Sequence, residues 1–327
     1  MEKQSERSPI LWVVVASLAA LLVSTCGSQS PIGDTSSGGG AGGSLIINLG
    51  VGGAGTTSSG SAGAGGGTVV TAVWPPSGFI NVTNVTVGAY ALGPQITGPG
   101  GAAGTGGSTG AGTACAGLFG IVRDFKMGNQ PGGHADFETA PVGLDTGIVE
   151  TTLGSDGKPV YSHTGGTPST TGQANFDQWY RDVPDVNMPF ILGLHLVTTN
   201  GISTFSAVKP NSFFPLDGQG FGNQGQNHNF SFTTELHTAF VYNGGETFAF
   251  VGDDDVWVFI NNQLVIDLGG RHAQMSQSVS IDSLGLTKGN SYDLAVFHAE
   301  RHTTESNFQI QTTLAFTDCG QVNGVIY

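Results

Sequence analysis

An all-β sandwich is the fold this 327-residue chain predicts, on three observations. From Leu118 onward, short apolar runs rich in Val, Ile, Phe, Thr and Tyr alternate with turns of Gly, Asn and Asp, the signature of many short strands. The one helical candidate is short, residues 175–181 with Asn175 as N-cap. Cys115 and Cys319 bracket the region, and in an oxidising compartment such a pair ties the ends of a domain together.

The N-terminal third is organised differently. In residues 1–26, Lys3 and Arg7 precede an apolar run, residues 10–23, that is too short for a membrane span and is followed by small residues; this reads as an export signal. Ser24-Thr25-Cys26 resembles a bacterial lipobox, with Thr25 departing from the usual Gly, Ala or Ser, so Cys26 is the expected lipid anchor and simple cleavage the alternative. Membrane contact is expected only through that lipid, with the protein at the outer membrane or cell surface, or secreted.

Residues 27–112 form a Gly/Ser/Thr-rich linker. Its stretches 27–68 and 98–112 have too little apolar surface to fold and act as a tether. Between them, in the 69–96 segment, the alternating pattern of residues 80–92 predicts one or two strands docked on the edge of the main domain. Sequons at Asn81 and Asn84 matter only in a eukaryotic secretory pathway, against which the lipobox argues.

Residues 113–327 are the folded domain, with strands expected at 118–125, 190–197, 230–235, 237–242, 246–251, 256–260, 263–267, 278–281, 291–300 and 307–316. Strand 256–260 is apolar on both faces. Trp257 and Phe259 point to one layer while Val256, Val258 and Ile260 point to another, so it is buried on both sides. Asn261-Asn262 supply the positive φ of a two-residue hairpin turn.

Directly ahead of that strand stand Asp253, Asp254 and Asp255. Neighbouring carboxylates repel one another, and solvent, hydrogen-bond donors or a cation must offset the repulsion. Ca²⁺, which takes six to eight oxygens from carboxylates and carbonyls, suits the arrangement; a solvated Asp-rich turn is the plain alternative. The formal net charge of −14 excludes general affinity for nucleic acid and favours cations and neutral partners.

Longer motifs narrow the reading. VRDFK from Val122, HADFE from His134, TGIVE from Thr146, LGSDGKPVY from Leu153 and FDQWYRDVPDVN from Phe176 follow in order. FFPLDGQGFG from Phe213, HNFSFTTELHTAF from His228, the acidic hairpin and FHAERHTTESNFQIQTTL from Phe297 complete the set. With these motifs the chain from about Phe119 to Phe316 resembles a fibro-slime domain, a branch similar to the protective-antigen (PA-fourteen) superfamily of β-sandwich modules in toxins, glycosidases and flocculin-type adhesins.

In the sugar-binding adhesins two successive Asp hold Ca²⁺, which ligates sugar hydroxyls, and an Asn and two backbone carbonyls complete the site. The resemblance places Asp253 and Asp254 at that pair. Counting from Tyr292 places Glu300 at the Asn, with the carbonyls of His302 and Thr304 next. Glu in place of Asn keeps an oxygen ligand and adds charge.

The resemblance implies a Ca²⁺-binding adhesion module, not an enzyme, whose partner is an extracellular polysaccharide or cell-surface glycan. A structural matrix component in which Ca²⁺ only rigidifies loops is the alternative. A glycosidase with Asp254 and Glu300 as acid and base ranks below both. By period two His298, Glu300 and His302 share a face, with His272 after the returning strand. This set suits a hydrogen-bonded network better than Zn²⁺, and Arg301 reads as an ion-pair partner of the carboxylates.

Overall fold

The computed structural model describes residues 74, 78–82, 85–96, 104–105, 115, 117–208 and 213–322. The export signal, Cys26, the 27–68 stretch, most of 98–112 and Asn84 lie outside the described residues. In chain order the first eight strands are β1 Ile80–Val82, β2 Ala89–Gln95, β3 Gly104–Thr105, β4 Gly117–Phe125, β5 Asn187–His195, β6 Val197–Thr199, β7 Ile202–Ala207 and β8 Phe232–Val241. There follow β9 Thr247–Gly252, β10 Asp255–Ile260, β11 Gln263–Leu268, β12 Met275–Ser280, β13 Ser291–Glu300, β14 Phe308–Thr312, β15 Phe316–Asp318 and β16 Gln321–Val322. The fold is all-β and the paired strands are antiparallel.

A large sheet runs β1-β2-β5-β4-β8-β13-β10-β11, with β15 also on β8, and a five-stranded sheet runs β12-β9-β14-β7-β6. Apolar residues alternate along β10 and β13, and this alternation builds two cores. Val256, Val258, Ile260, Leu294 and Val296 face the smaller sheet and meet Phe205, Phe248, Phe250, Phe308 and Ile310. Trp257, Phe259, Ala295, Phe297 and Ala299 face the opposite way, where residues 126–186 cover them with Phe137, Ile148, Phe176, Trp179 and Tyr180. Both faces of β10 are buried, as the sequence predicts, and β10 lies second from the sheet edge. Asn261 (φ 50°) and Asn262 (φ 59°) make the predicted hairpin turn.

Several elements differ from expectation for identifiable reasons. Runs 230–235 and 237–242 are one strand, β8, paired with β13 without interruption from Phe232↔Glu300 to Val241↔Ser291. The polar residue within it, Glu235, is buried but satisfied by Arg123 and Lys158 and so does not break the strand. Run 307–316 divides: β14 joins the small sheet, and the chain then crosses so that β15 joins the large one. β7, unpredicted, lies between β14 and β6. The helix is Gln173–Phe176 and begins at Gly172 with no side-chain cap; Asn175 lies inside it and donates to Thr171 Oγ1 at 2.6 Å.

β2 pairs with β5, so the 69–96 segment contributes the outermost strands of the large sheet. A disulfide joins Cys115 to Cys319 with Cα atoms 5.3 Å apart across a separation of 204 residues, and Phe119 N donates to the Cys319 carbonyl at 2.7 Å beside it. Replacing both cysteines with Ser is expected to lower the unfolding free energy by up to about 5 kcal/mol on chain-entropy grounds. Urea unfolding of the variant beside wild type measures this; a loss below about 1 kcal/mol would mean that packing alone holds the two ends.

Candidate functional site

Gly252 ends β9, and the chain turns through Asp253 and Asp254 before β10 begins at Asp255. The three carboxylates are not solvated: Asp253 is 4% exposed, Asp254 5% and Asp255 0%. Each therefore needs a partner, because a buried charge without one is costly, and the three are answered differently.

Asp255 is neutralised. Its Oδ2 accepts from Arg301 Nε at 2.6 Å, with Nη2 at the same distance, and its Oδ1 accepts from Gly270 N at 2.6 Å. Arg301, itself fully buried, also donates to the carbonyls of Asp136 (3.0 Å) and Ser169 (2.8 Å) and stacks over the Trp179 ring at 4.4 Å. It is the ion-pair partner the sequence suggests, and it anchors the covering layer as well.

Asp253 is clasped by Asn307, whose backbone N and Nδ2 donate to Oδ1 at 2.5 Å and Oδ2 at 2.6 Å. Burial still pushes its carboxyl up, against the lowering effect of Asn307. The Asp253 carbonyl accepts from His298 Nε2 at 3.1 Å. His298 stands among Phe213, Phe232, Phe250 and Phe308, and burial pushes its pKa down to about 3, so it is a neutral structural group.

Asp254 and Glu300 are the unbalanced pair. Asp254 Oδ2 accepts from the backbone N of Arg301 at 2.8 Å, yet burial drives its carboxyl well above the usual range, outweighing Arg301, with Asp255 and Asp253 adding to the rise. Glu300 is 0% exposed. Its Oε1 has a long contact, 3.4 Å, from His302 N, and its Oε2 has no hydrogen-bond partner. The Ser306 hydroxyl donates to the Phe213 carbonyl at 2.7 Å and lies close enough to Glu300 to lower its carboxyl somewhat. Burial, then Asp254 and Asp253, push the Glu300 carboxyl well above normal.

His302 is half-buried and Thr304 exposed; among the described residues no hydrogen-bond donor engages either carbonyl. His272 bonds to the carbonyls of Ala273 and Leu268, so the histidines serve backbone hydrogen bonding. Among the described residues no group of three or more His, Cys, Asp and Glu is arranged to hold a metal ion. A Ca²⁺ site here would draw on carbonyl oxygens beside the carboxylates, as this ion commonly does. Asn307 was missed from sequence; the register Phe308↔Gly252 places it beside Asp253, a proximity that only strand pairing reveals.

The acidic lip, Arg301 and Asn307 all fall within residues 200–323. Residues 200–323 match the model of the PA14 domain. The PA14 stretch supplies the five-stranded sheet except β6, together with β8, β10, β11 and β13, while β1, β2, β4 and β5 of the large sheet precede it. Among curated proteins, protein psiR of Dictyostelium discoideum is 42% identical over 217 residues, covering 60% of this chain and 22% of the relative. Protein psiD of the same organism is 44% identical over 224 residues, covering 62% and 42%. The chain thus spans less than half the length of these relatives.

Among solved structures, the PA14 domain of the MpAFP antifreeze protein overlaps 67% of this chain and 99% of its own, at 9% identity and TM-score 0.24. A β-glucosidase from Kluyveromyces marxianus in complex with glucose overlaps 25% and 11%, at 17% identity and TM-score 0.19. Overlaps at these scores carry no argument about function.

Arg301→Met is expected to destabilise by about 3–5 kcal/mol, since it leaves Asp255 buried and unpaired. Adding Asp255→Asn should recover part of that loss in chemical denaturation. Equal losses in the single and double variants would show that Arg301 acts through the covering layer alone.

Proposed function

We propose that this chain is an exported adhesion module of the fibro-slime branch, in which Ca²⁺ at the acidic lip supports binding of an extracellular polysaccharide or cell-surface glycan. The observation that carries the reading is the pair of buried carboxylates, Asp254 and Glu300, with Glu300 Oε2 lacking any donor. A cation is the simplest group to satisfy that oxygen and offset the mutual repulsion. Asp253, Asp254, Glu300 and the carbonyls of His302 and Thr304 would hold it. Asp253 remains competent although Asn307 clasps it, because a carboxylate offers about four lone-pair sites.

When bound, Ca²⁺ supplies positive charge and open coordination positions for neutral hydroxyls. Around it the chain's own groups set the loop: Asn307 orients Asp253, His298 fixes the intervening carbonyl, and Arg301 N positions Asp254. The glycosidase alternative finds less support, since neither Asp254 nor Glu300 faces an open cleft at 5% and 0% exposure. The matrix-component alternative keeps the ion and drops the glycan. Loss of glycan-array binding on chelation supports the adhesin, whereas retained Ca²⁺ binding with no glycan binding supports the matrix component.

Export joins the reading through residues 1–26 and the Cys115–Cys319 disulfide. The named relatives come from a eukaryote, in which exposed Asn81 would be the sequon to carry glycan; in a bacterium Cys26 would carry lipid. Palmitate labelling that disappears in Cys26→Ala identifies the second route, and a glycosidase-sensitive mass shift lost in Asn81→Gln the first.

Calorimetric titration of metal-stripped protein with Ca²⁺ tests the site directly: saturable binding is expected in wild type and none in Asp254→Ala. Absence of binding in wild type would overturn the proposal. A pH dependence accompanies it. Because the folded-state pKa values of Asp254 and Glu300 are raised, their contribution to stability is complete below about pH 4, the unfolded value, and is lost as pH rises. His298 works the opposite way, losing stability as pH falls below about 6.5. In chelator, the melting temperature of Glu300→Gln relative to wild type should therefore climb from pH 5 to pH 8. Ca²⁺ should raise the wild-type melting temperature more at pH 8 than at pH 5.

A further inference from the structure

On the outer face of the large sheet, at the end remote from the acidic lip, lies a cavity of about 340 Å³ whose lining includes His237, Thr238, Phe259, Asn262, Asp293 and Ala295. Asp255 at the lip and Ile260 at this end are the two ends of β10, roughly 17 Å apart along the strand. The cavity also opens on the opposite face from Glu300, since Phe259 and Ala295 belong to the outer core and His298 and Glu300 alternate away from it. It cannot share the lip's ligand.

The walls are fixed by hydrogen bonds. Asn262 Oδ1 accepts from Leu153 N at 2.9 Å, and Leu264 N donates to the Thr151 carbonyl at 2.9 Å, tying the 151–158 loop to the β10–β11 hairpin. Gly154 and Lys158 close that loop through an N–H to carbonyl bond of 2.8 Å. Ala295 leaves space where a larger side chain would fill the face, and Phe259 gives an apolar floor. A preformed cavity of this kind avoids the ordering cost of binding.

Its polar groups form a specific pattern. Glu235 is ionised: burial alone would raise its pKa, but Lys158 and Arg123 outweigh burial and hold it well below the usual range. His237 Nε2, 2.7 Å from Glu235 Oε1, therefore donates to it. Asp293 is exposed, and its carboxylate meets no donor among the described residues. Asn262 Nδ2 is a donor with Oδ1 already engaged. Lys158 and Arg123 are bonded to Glu235, the partner of His237.

We infer that this cavity is a second, cation-independent binding site for a neutral polyhydroxylated ring, a monosaccharide unit of a glycan. A carboxylate beside an amide donor over an apolar floor matches vicinal hydroxyls, which donate to the carboxylate and accept from the amide. Asp293, an exposed carboxylate in the lining, disfavours phosphate, sulfate and uronate by like-charge repulsion. The volume lies at the small end of ligand cavities, about 300–1,000 Å³, and suits one ring.

The test is titration of the full chain in excess chelator with glucose, galactose, mannose and N-acetylglucosamine, followed by saturation-transfer NMR and calorimetry. Saturable binding of at least one sugar is expected. Asp293→Ala should weaken it about tenfold or more, Ser155→Trp on the exposed loop should block it, and Asp254→Ala should leave it unchanged. Circular dichroism establishes that the variants are folded. No saturable binding of any of the four sugars, or binding unaffected by both cavity variants, overturns the inference. Binding lost in Asp254→Ala places the sugar at the lip and overturns it too. Failure of Ca²⁺ titration at the lip leaves these outcomes untouched, so the two readings fail separately.

Discussion

One guanidinium holds three parts of the molecule in place. Arg301 follows the last residue of β13, pairs with the first residue of β10 through Asp255, and reaches into the covering segment through the carbonyls of Asp136 and Ser169. Trp179 closes over it. A planar fork with several donors and a flat face for stacking makes these contacts together, which an ammonium group could not do. Because Arg301 neutralises Asp255, the remaining carboxylates at the lip lack a full counter-charge within the protein.

Two buried glutamates on neighbouring strands show what that means. Glu235 and Glu300 are both withdrawn from water, which raises the pKa of either. For Glu235, Lys158 and Arg123 reverse the effect and the carboxyl falls below its usual range. For Glu300, the neighbours are Asp254 and Asp253, and the carboxyl rises. The first is a closed network that stiffens the outer face of the large sheet. The second has acids in place of cations beside it, which favour its protonated form, and the difference lies in the neighbours rather than in burial.

Much of this was legible in the sequence. The two-faced pattern of Val256 to Ile260 predicts both cores, and Asn261-Asn262 predicts the hairpin, because strand alternation and left-handed turns are local properties. The acidic lip was legible as a cluster but not as a buried one: nothing local shows that β13 and the 126–186 cover enclose it. Asn307 and the His298 aromatic cage depend on pairing between strands far apart in the chain. The continuity of β8 is hidden in the sequence, where the two runs part at Leu236, and shows only in the unbroken ladder with β13. The helix N-cap was misplaced because Gly172, not a side chain, opens that turn.

The position of the Cys115–Cys319 bond bears on how the molecule carries load. With the two Cα atoms 5.3 Å apart, a pull exerted on the chain before Cys115 and after Cys319 is transmitted through the sulfur bridge and bypasses every strand from β4 to β15. The acidic lip, the outer cavity and their covering layer sit inside that bypass and experience no tension. β1 and β2 lie outside it and would peel from β5 first. A surface arranged in this way keeps its geometry under a force that has already stripped the edge of its sheet.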